Sequence, residues 1–495
     1  MGTIGKNTAK DLVPTSTGKV AMNWIGGEWM DSDNHGTSMD PCTGRPIGVY
    51  ADGGSKEARL AVKAALEAFH KTSWRNDHAL RSKVLLALAD AFEAGAGPLV
   101  QMLCTEGGKI ASEAAMEVSA APATLRFWAG KTFAEGRAGE VRPGAHSIVI
   151  REAIGVAGMI VPFNAPIALS IRSLAPALAA GTTVVLKFPG LTAQTNQLLN
   201  EIFSKTPNLP SGVINSITES GSEAAKFLVQ SPDVPVISFT GSSHTGRMIS
   251  MEAAVRLKRL VLELGGKTPM IVFDDTNIGA VIPVLAKAIT LFSGQFCMAG
   301  SRILVQKGVA GRVRDQLTEW LSAIKVGPGM EPESTMGPMI NRQNAQRVDE
   351  IVEKAIAAGA KALVRGGCVM EDRFPTGAFY RPTLLEVMDS KLPIVQEEVF
   401  GPVATLQVFD DEAEAVALAN DGEYGLAASI WSQDAGRALR IAKSLQAGTV
   451  WINTYAQIFP QFEEGGYKQS GLGRLNGAAA MESFLEYKHI VIDHR

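Results

Sequence analysis

Cys297 lies in the segment Phe292-Ser-Gly-Gln-Phe-Cys-Met-Ala-Gly-Ser301. A thiol between Phe296 and Met298 has the setting of a core cysteine. Gly294 and Gly300 bracket it, however, and glycines so placed suit a loop whose backbone passes close to another group. A helical pattern precedes the segment and a strand-like run follows it, which puts the thiol at an exposed element end, open to use as a nucleophile. Glu263 stands in Leu260-Val-Leu-Glu-Leu-Gly-Gly-Lys267, a carboxylate inside an apolar strand just before a Gly-Gly break. Burial there raises a carboxyl pKa and makes a usable general base; a salt bridge with Lys267 is the other reading. Asn164, in Val161-Pro-Phe-Asn-Ala-Pro166, has its backbone fixed by two prolines, as a preorganised oxyanion donor requires. An ordinary turn asparagine fits the same pattern.

No GxGxxG is present, so the usual dinucleotide fingerprint is missing. In its place, Phe239-Thr-Gly-Ser-Ser-His-Thr-Gly246 joins a strand to a helix and can set backbone amides against a pyrophosphate. Lys187 ends the strand Val184-Val-Leu-Lys187, at the carboxyl edge where α/β sheets bind ligands. A plain surface lysine is the alternative there.

The elements that must position these groups follow from the periodicity. Strands are expected at Val156–Val161, Thr183–Lys187, Gly212–Ile217, Val234–Phe239 and Arg259–Leu264, with helices at Ile167–Ala180, Ala193–Phe203, Ser222–Leu228 and Thr245–Ala254 between them. Continuous apolar strands alternating with helices specify a parallel sheet covered on both faces. The alternation restarts after Ile278, with helices at 278–291, 309–323 and 341–358 and strands at 301–305 and 361–366, giving a second α/β domain. Upstream, Lys56–Phe69 and Leu80–Glu93 read as helices, and residues 1–50 as turn-rich with short apolar pieces such as Asn23-Trp24-Ile25 before Gly26-Gly27. The C-terminal FLEYKHIVIDH reads as a strand with no sequence neighbour to pair with, a type that often pairs across a subunit interface.

The 495 residues suffice for a large core, and 47 Lys+Arg against 50 Asp+Glu leave a net charge of −3, which argues against nucleic-acid and polybasic membrane partners. Cys42, Cys104, Cys297 and Cys368 form no CxxC and the histidines no HxxxH, so no metal site is expected and the usage fits a reducing compartment. The N-terminal twenty residues lack a signal-peptide core, and the apolar stretch 153–186 is broken by Pro162, Asn164, Pro166, Arg172 and Pro176. A soluble, cytoplasmic protein is the expectation.

Taken in order, PFNAP at 162–166, VVLK at 184–187, FTGS at 239–242, ELGGK at 263–267, GQFCMAGSR at 294–302, EEVFGP at 397–402, YGLAASIW at 424–431, GTVWIN at 448–453 and GGYKQSGLGR at 465–474 resemble the aldehyde dehydrogenase superfamily across nearly the whole chain. The resemblance implies two doubly wound parallel-sheet domains and a small β oligomerisation element. An NAD(P)-binding domain would take 1–130 and 153–263, with 454–477 returning to it. A catalytic domain would take 264–453, and 131–152 with 478–495 would form the oligomerisation element of a homodimer or homotetramer. By the same resemblance Cys297 is the nucleophile that forms a thiohemiacetal with an aldehyde, and Asn164 with the Cys297 N–H holds the oxyanion. Oxidation by the nicotinamide leaves a thioester, which Glu263 hydrolyses by activating water. Lys187 would bond the adenosine ribose, while Gly241, Ser242, Thr245 and Gly246 would meet the pyrophosphate. Glu398 would hold the nicotinamide ribose, Phe400 and Phe163 would lie by the ring, and the Leu264 backbone would meet the carboxamide.

Two departures stand out. Where many NAD-preferring relatives carry Glu three residues after the strand-end lysine, this chain has Gly190, which leaves NAD or NADP open with a lean to NAD. Where many carry a relay Glu after the C-terminal GR, it has Leu475, so Glu263 should carry deacylation alone. The matching mouth positions are Leu169, Arg172, Phe296, Trp451, Ile458, Phe459 and Glu464. Succinic semialdehyde dehydrogenases carry Arg where Arg172 falls, and a guanidinium there can hold a substrate carboxylate bidentately; an Arg172–Glu464 ion pair is the other outcome. A polar or carboxylate-bearing aldehyde is expected. The rivals are a CoA-acylating aldehyde dehydrogenase, disfavoured by Glu263, and a non-catalytic binding or structural member, disfavoured by the intact Cys297, Glu263 and Asn164.

Overall fold

The computed structural model describes residues 20–133, 135–369 and 374–494. The expectation about the N-terminal twenty residues therefore lies almost wholly outside the described residues.

Two α/β sheets carry the chain. The first has eight strands in the order Gly471–Leu472, Arg259–Glu263, Val236–Thr240, Val156–Ile160, Thr183–Pro189, Ile214–Glu219, Asn23–Ile25 and Glu28–Met30. Its five middle strands are parallel, as expected, and its edges are antiparallel. The edges follow from local chemistry: Asn23–Ile25 and Glu28–Met30 form a hairpin about Gly26 and Gly27, both at positive φ. Alternate residues of each middle strand enter opposite cores. Val184 and Leu186 pack among the helices His78–Ala94, Ala111–Ala129 and Pro166–Ala180, while Val185 packs against Ser55–Lys71 and Glu223–Gln230. Both faces are thus covered, and each buried Val or Leu contributes about 1.5–3 kcal/mol.

The second sheet runs Lys361–Val364, Thr383–Glu386, Val403–Phe409, Arg302–Gln306, Pro269–Val272, Ala427–Trp431 and Thr449–Ile452, parallel except at the first strand. Glu263 lies at the carboxyl end of its strand in the first sheet, and the 294–302 segment runs into the amino end of Arg302–Gln306 in the second. The helix expected over 278–291 ends at Thr290, because Phe292, Ser293 and Gly294 all take left-handed φ values of 52°, 55° and 72°. The region read as turn-rich holds a further small sheet of Val20–Ala21, Pro46–Asp52 and Asn34–Met39. Its six- and seven-residue strands hide behind the glycines and polar residues of NHGTSM and PIGVYAD.

The C-terminal strand Leu485–Asp493 finds its neighbour within the chain. It pairs antiparallel with Ala145–Ala153, which pairs in turn with Arg137–Arg142, and its outer edge stays open. Among the described residues no single helix is long and apolar enough to cross a membrane. The bent pair His78–Ala94 and Ala96–Thr105 passes only when taken together, and its apolar face lies in the core.

Candidate active site

The thiol of Cys297 is carried on backbone that glycines hold in place. A β-carbon at Gly294 would collide with Gly401, and one at Gly266 would collide with the carbonyl of Cys297 itself. One at Gly300 would come within 2.8 Å of Ala288 and Met270. The close approaches expected from Gly294 and Gly300 are therefore real, and the second glycine of ELGGK serves the same purpose. Burial pushes the thiol up to about 12; Arg172 draws it down, while Glu464, Glu398 and Glu263 add to the rise.

Glu263 closes the strand Arg259–Glu263, in register with Thr240 on one side and Gly471 on the other. It is 3% exposed, and its Oε1 has no hydrogen-bond partner. Burial raises it to about 8, against the pull of Arg172 and Arg474 and with a further push from Glu464. Among the described residues it makes no ion pair with Lys267. That lysine faces Glu398 and Glu397, and burial beside Arg302 brings its ammonium down to about 7. Asn164, also buried, donates from Nδ2 to Gln295 O at 2.9 Å, which fixes its amide to the Cys297 loop and leaves its second N–H for another acceptor.

Arg172 lies inside the helix Pro166–Ala180 and donates from Nη1 to Glu464 Oε1 at 2.6 Å, both side chains buried. The ion pair weighed against carboxylate binding is the arrangement present. Leu169, Phe296 and Trp451 pack in one apolar cluster with Cys297, whereas Phe459 is 52% exposed at the rim.

On the neighbouring strand's carboxyl side, where the Gly241 N–H donates to Glu263 O at 3.0 Å, Ser242 caps the helix Ser243–Ala254 by accepting from Thr245 N, and both Ser242 and Thr245 are exposed. A β-carbon at Gly241 would meet the Phe239 ring, and one at Gly246 would come within 2.6 Å of Leu264. Bare backbone therefore floors a helix N-terminus whose first N–H groups lack helical acceptors, which fits an anion such as a pyrophosphate. Lys187 is buried 3.6 Å from Glu219, and its ammonium is lowered by burial against the pull of Glu219. Phe163 and Phe400 meet edge to face at 5.8 Å, and Glu398 accepts from Gly266 N at 3.1 Å. The Leu264 N–H donates to Ser470 O at 2.9 Å.

Sequence reasoning missed the group behind the loop. Glu113 accepts from Phe292 N at 3.0 Å, bracing the left-handed turn. Glu117 accepts from Ile167 N at 2.8 Å and pairs with Lys109, whose ammonium lies over the Phe292 ring. Their spacing of four on an alanine-rich helix was the available signal. Tyr50 and Glu219 were also missed. The Tyr50 hydroxyl fills the space a side chain at Gly190 would need.

The model of the aldehyde dehydrogenase family matches residues 29–490. The chain belongs to the aldehyde dehydrogenase family. Betaine aldehyde dehydrogenase of Bacillus subtilis (strain 168) is 36% identical over 475 residues, covering 94% of this chain and 96% of that one. Glutarate-semialdehyde dehydrogenase of Pseudomonas putida is 36% identical over 476 residues, with 95% and 97% covered. The structure of betaine aldehyde dehydrogenase from Staphylococcus aureus in complex with NAD+ superposes with a TM-score of 0.91 at 34% identity, covering 96% of this chain and 95% of that one. As an aldehyde dehydrogenase, the chain is an oxidoreductase. In this aldehyde dehydrogenase the structure places Glu263 near Cys297, ties Asn164 to the Cys297 loop and bonds the Gly241 N–H to Glu263 O at 3.0 Å.

Proposed function

We propose that the protein oxidises a polar aldehyde to its carboxylic acid with a nicotinamide dinucleotide, through a covalent bond to Cys297. The observation that carries this is the facing of Cys297 by Glu263, a buried carboxyl raised to about 8 with one oxygen unpartnered. When bound, the dinucleotide supplies the two-electron oxidant. The chain's own residues do the rest. The Cys297 sulfur bonds the aldehyde carbon, and the thiol proton leaves to a base. Asn164 Nδ2 and the Cys297 N–H donate to the developing oxyanion. Glu263 then takes a proton from the water that attacks the thioester, releasing the acid and restoring the thiol. A base at this position favours hydrolysis over transfer to CoA.

The cleft favours NAD over NADP. Lys187 is one cation against two carboxylates, Glu219 at 3.6 Å and Asp52 beyond it, and a 2′-phosphate would add further negative charge there. Glu219 thus supplies the negative charge that Gly190 lacks. Glu219→Gln is expected to narrow the ratio of NADP to NAD dissociation constants by about tenfold, read by tryptophan quenching in the Cys297→Ala background. An unchanged ratio would remove Glu219 from cofactor choice.

The tail of the aldehyde meets a neutral pair rather than a free guanidinium, which supports a polar substrate without net negative charge. A second reading, a semialdehyde acid that takes over Arg172, is favoured by the unpartnered Arg172 Nε. A panel of neutral, trimethylammonium and carboxylate-bearing aldehydes, assayed with wild type and Arg172→Ala, separates them. On the first reading neutral polar aldehydes turn over best, and Arg172→Ala lowers kcat/KM for acids and neutral aldehydes alike. A selective loss of about tenfold or more for the acids would establish the second. Failure of all three classes with Cys297-competent protein would sink the aldehyde reading.

A further inference from the structure

We propose that Arg172 and Glu464 form a buried positioning pair for both reacting groups, in which Glu464, Asn476 and Thr240 hold the Arg172 guanidinium beside Cys297 and Glu263 and keep it from closing onto Glu263. The inference rests on the aldehyde-oxidation reading and adds residues that its chemistry has not yet used.

Glu464 is fixed from both ends. Its backbone bridges Leu475 through bonds of 2.6 and 2.8 Å, and its Oε2 accepts from Asn476 Nδ2 at 2.9 Å. Asn476 reaches it from a left-handed φ of 57°, a conformation asparagine tolerates. Oε1 takes Arg172 Nη1 at 2.6 Å, and Arg172 Nη2 reaches toward Thr240 Oγ1 at 3.4 Å. Thr240 is the register partner of Glu263. Helix Pro166–Ala180, the paired strand ends and the 464–475 bridge therefore converge on one guanidinium. Arg172, Glu464 and Asn476 are each no more than 7% exposed.

A buried ion pair recovers little stability for its desolvation cost, so stability alone does not account for this one. The charges around the two reacting groups suggest its use. Arg172, Glu464, Glu398, Glu263 and Tyr455 face the thiol, and Arg172, Glu464 and Arg474 face Glu263. Arg172 is the cation common to both, and it favours the anionic form of each. The reaction needs negative charge first on sulfur and then on the carboxylate, and one fixed cation serves both moments. Were Glu464 absent, the guanidinium would pair with Glu263 and hold the base ionised but bound. Glu464 takes that bond instead, consistent with the unpartnered Glu263 Oε1. Leu475, at the position where many relatives carry Glu, is the residue that bridges to Glu464.

The test is iodoacetamide labelling of Cys297 against pH, with Cys297→Ala as background, in wild type, Glu464→Gln and the double variant Arg172→Met/Glu464→Gln, each checked for native melting. Glu464→Gln removes the carboxylate that offsets Arg172 beside the thiol. Its labelling profile is expected to shift about one unit toward lower pH, a tenfold gain in rate at fixed pH, while steady-state kcat falls. The double variant should lose that shift. An unshifted profile in Glu464→Gln, or a shift that survives in the double variant, overturns the proposal. Should Glu464→Gln not fold, Arg172→Met alone is expected to move the profile upward, and no movement overturns the proposal equally. Labelling indistinguishable from Cys297→Ala in the wild type would defeat the aldehyde reading along with it, whereas a missing shift defeats only the pair.

Discussion

Cys297→Ala is expected to lower kcat/KM for aldehyde oxidation by at least about 10⁴-fold, with dinucleotide binding retained. The reason is geometric as much as chemical. Gly266, Gly294 and Gly300 fit the Cys297 loop closely against its neighbours. Cys42 and Cys104 are buried elsewhere and Cys368 is exposed on a different strand. Nicotinamide absorbance in the two proteins side by side, with a tryptophan-quenching titration of NAD, checks the claim. Residual turnover above about one part in a hundred would mean that the thiol is not the nucleophile.

Glu263→Gln should separate the two halves of the reaction. Acylation still delivers about one equivalent of reduced dinucleotide per chain, and turnover then falls by about 10²–10⁴-fold because water lacks its base. The wild-type pH profile carries the same information. Burial raises Glu263 to about 8, so below that pH the carboxyl is protonated and cannot accept. Steady-state kcat should therefore climb as pH rises through about 8, and that limb should be missing in Glu263→Gln. Rapid-mixing traces with and without a burst decide the matter: a variant with no burst would place Glu263 in acylation instead.

The middle strands of the first sheet and the helices between them were legible, because their apolar runs switch cleanly between periods and alternate residues feed opposite cores, as Val184 and Val185 do. In the second sheet only Arg302–Gln306 and the edge Lys361–Val364 were legible, and Pro269–Val272, Thr383–Glu386, Val403–Phe409 and Ala427–Trp431 were not. Cys297, Glu263 and Asn164 were legible as residue types in unusual company. The small sheet at Asn34–Met39 and Pro46–Asp52 was not, since its glycines and polar residues mask any alternation. Nor was Tyr50 over Gly190, a contact between residues 140 positions apart, which local pattern cannot express. Glu464 illustrates a different gap. The sequence offered it as a partner of Arg172, but the Asn476 clamp and the bridge to Leu475 that give the pair its orientation exist only once the chain has closed on itself.

The three glycine contacts around Cys297 also bear on time. Gln295 N is bonded to Phe292 O at 3.0 Å and Gly300 N to Ala288 O at 3.0 Å, inside packing with no slack for a hinge. Exchange of those two amides with solvent would have to wait for a rare opening of the surrounding layer. Cys297 is therefore presented on a rigid platform, and on the proposed function electrophiles are sorted by whether they fit the site as it stands. A bulky reagent excluded on first encounter gains nothing from longer incubation.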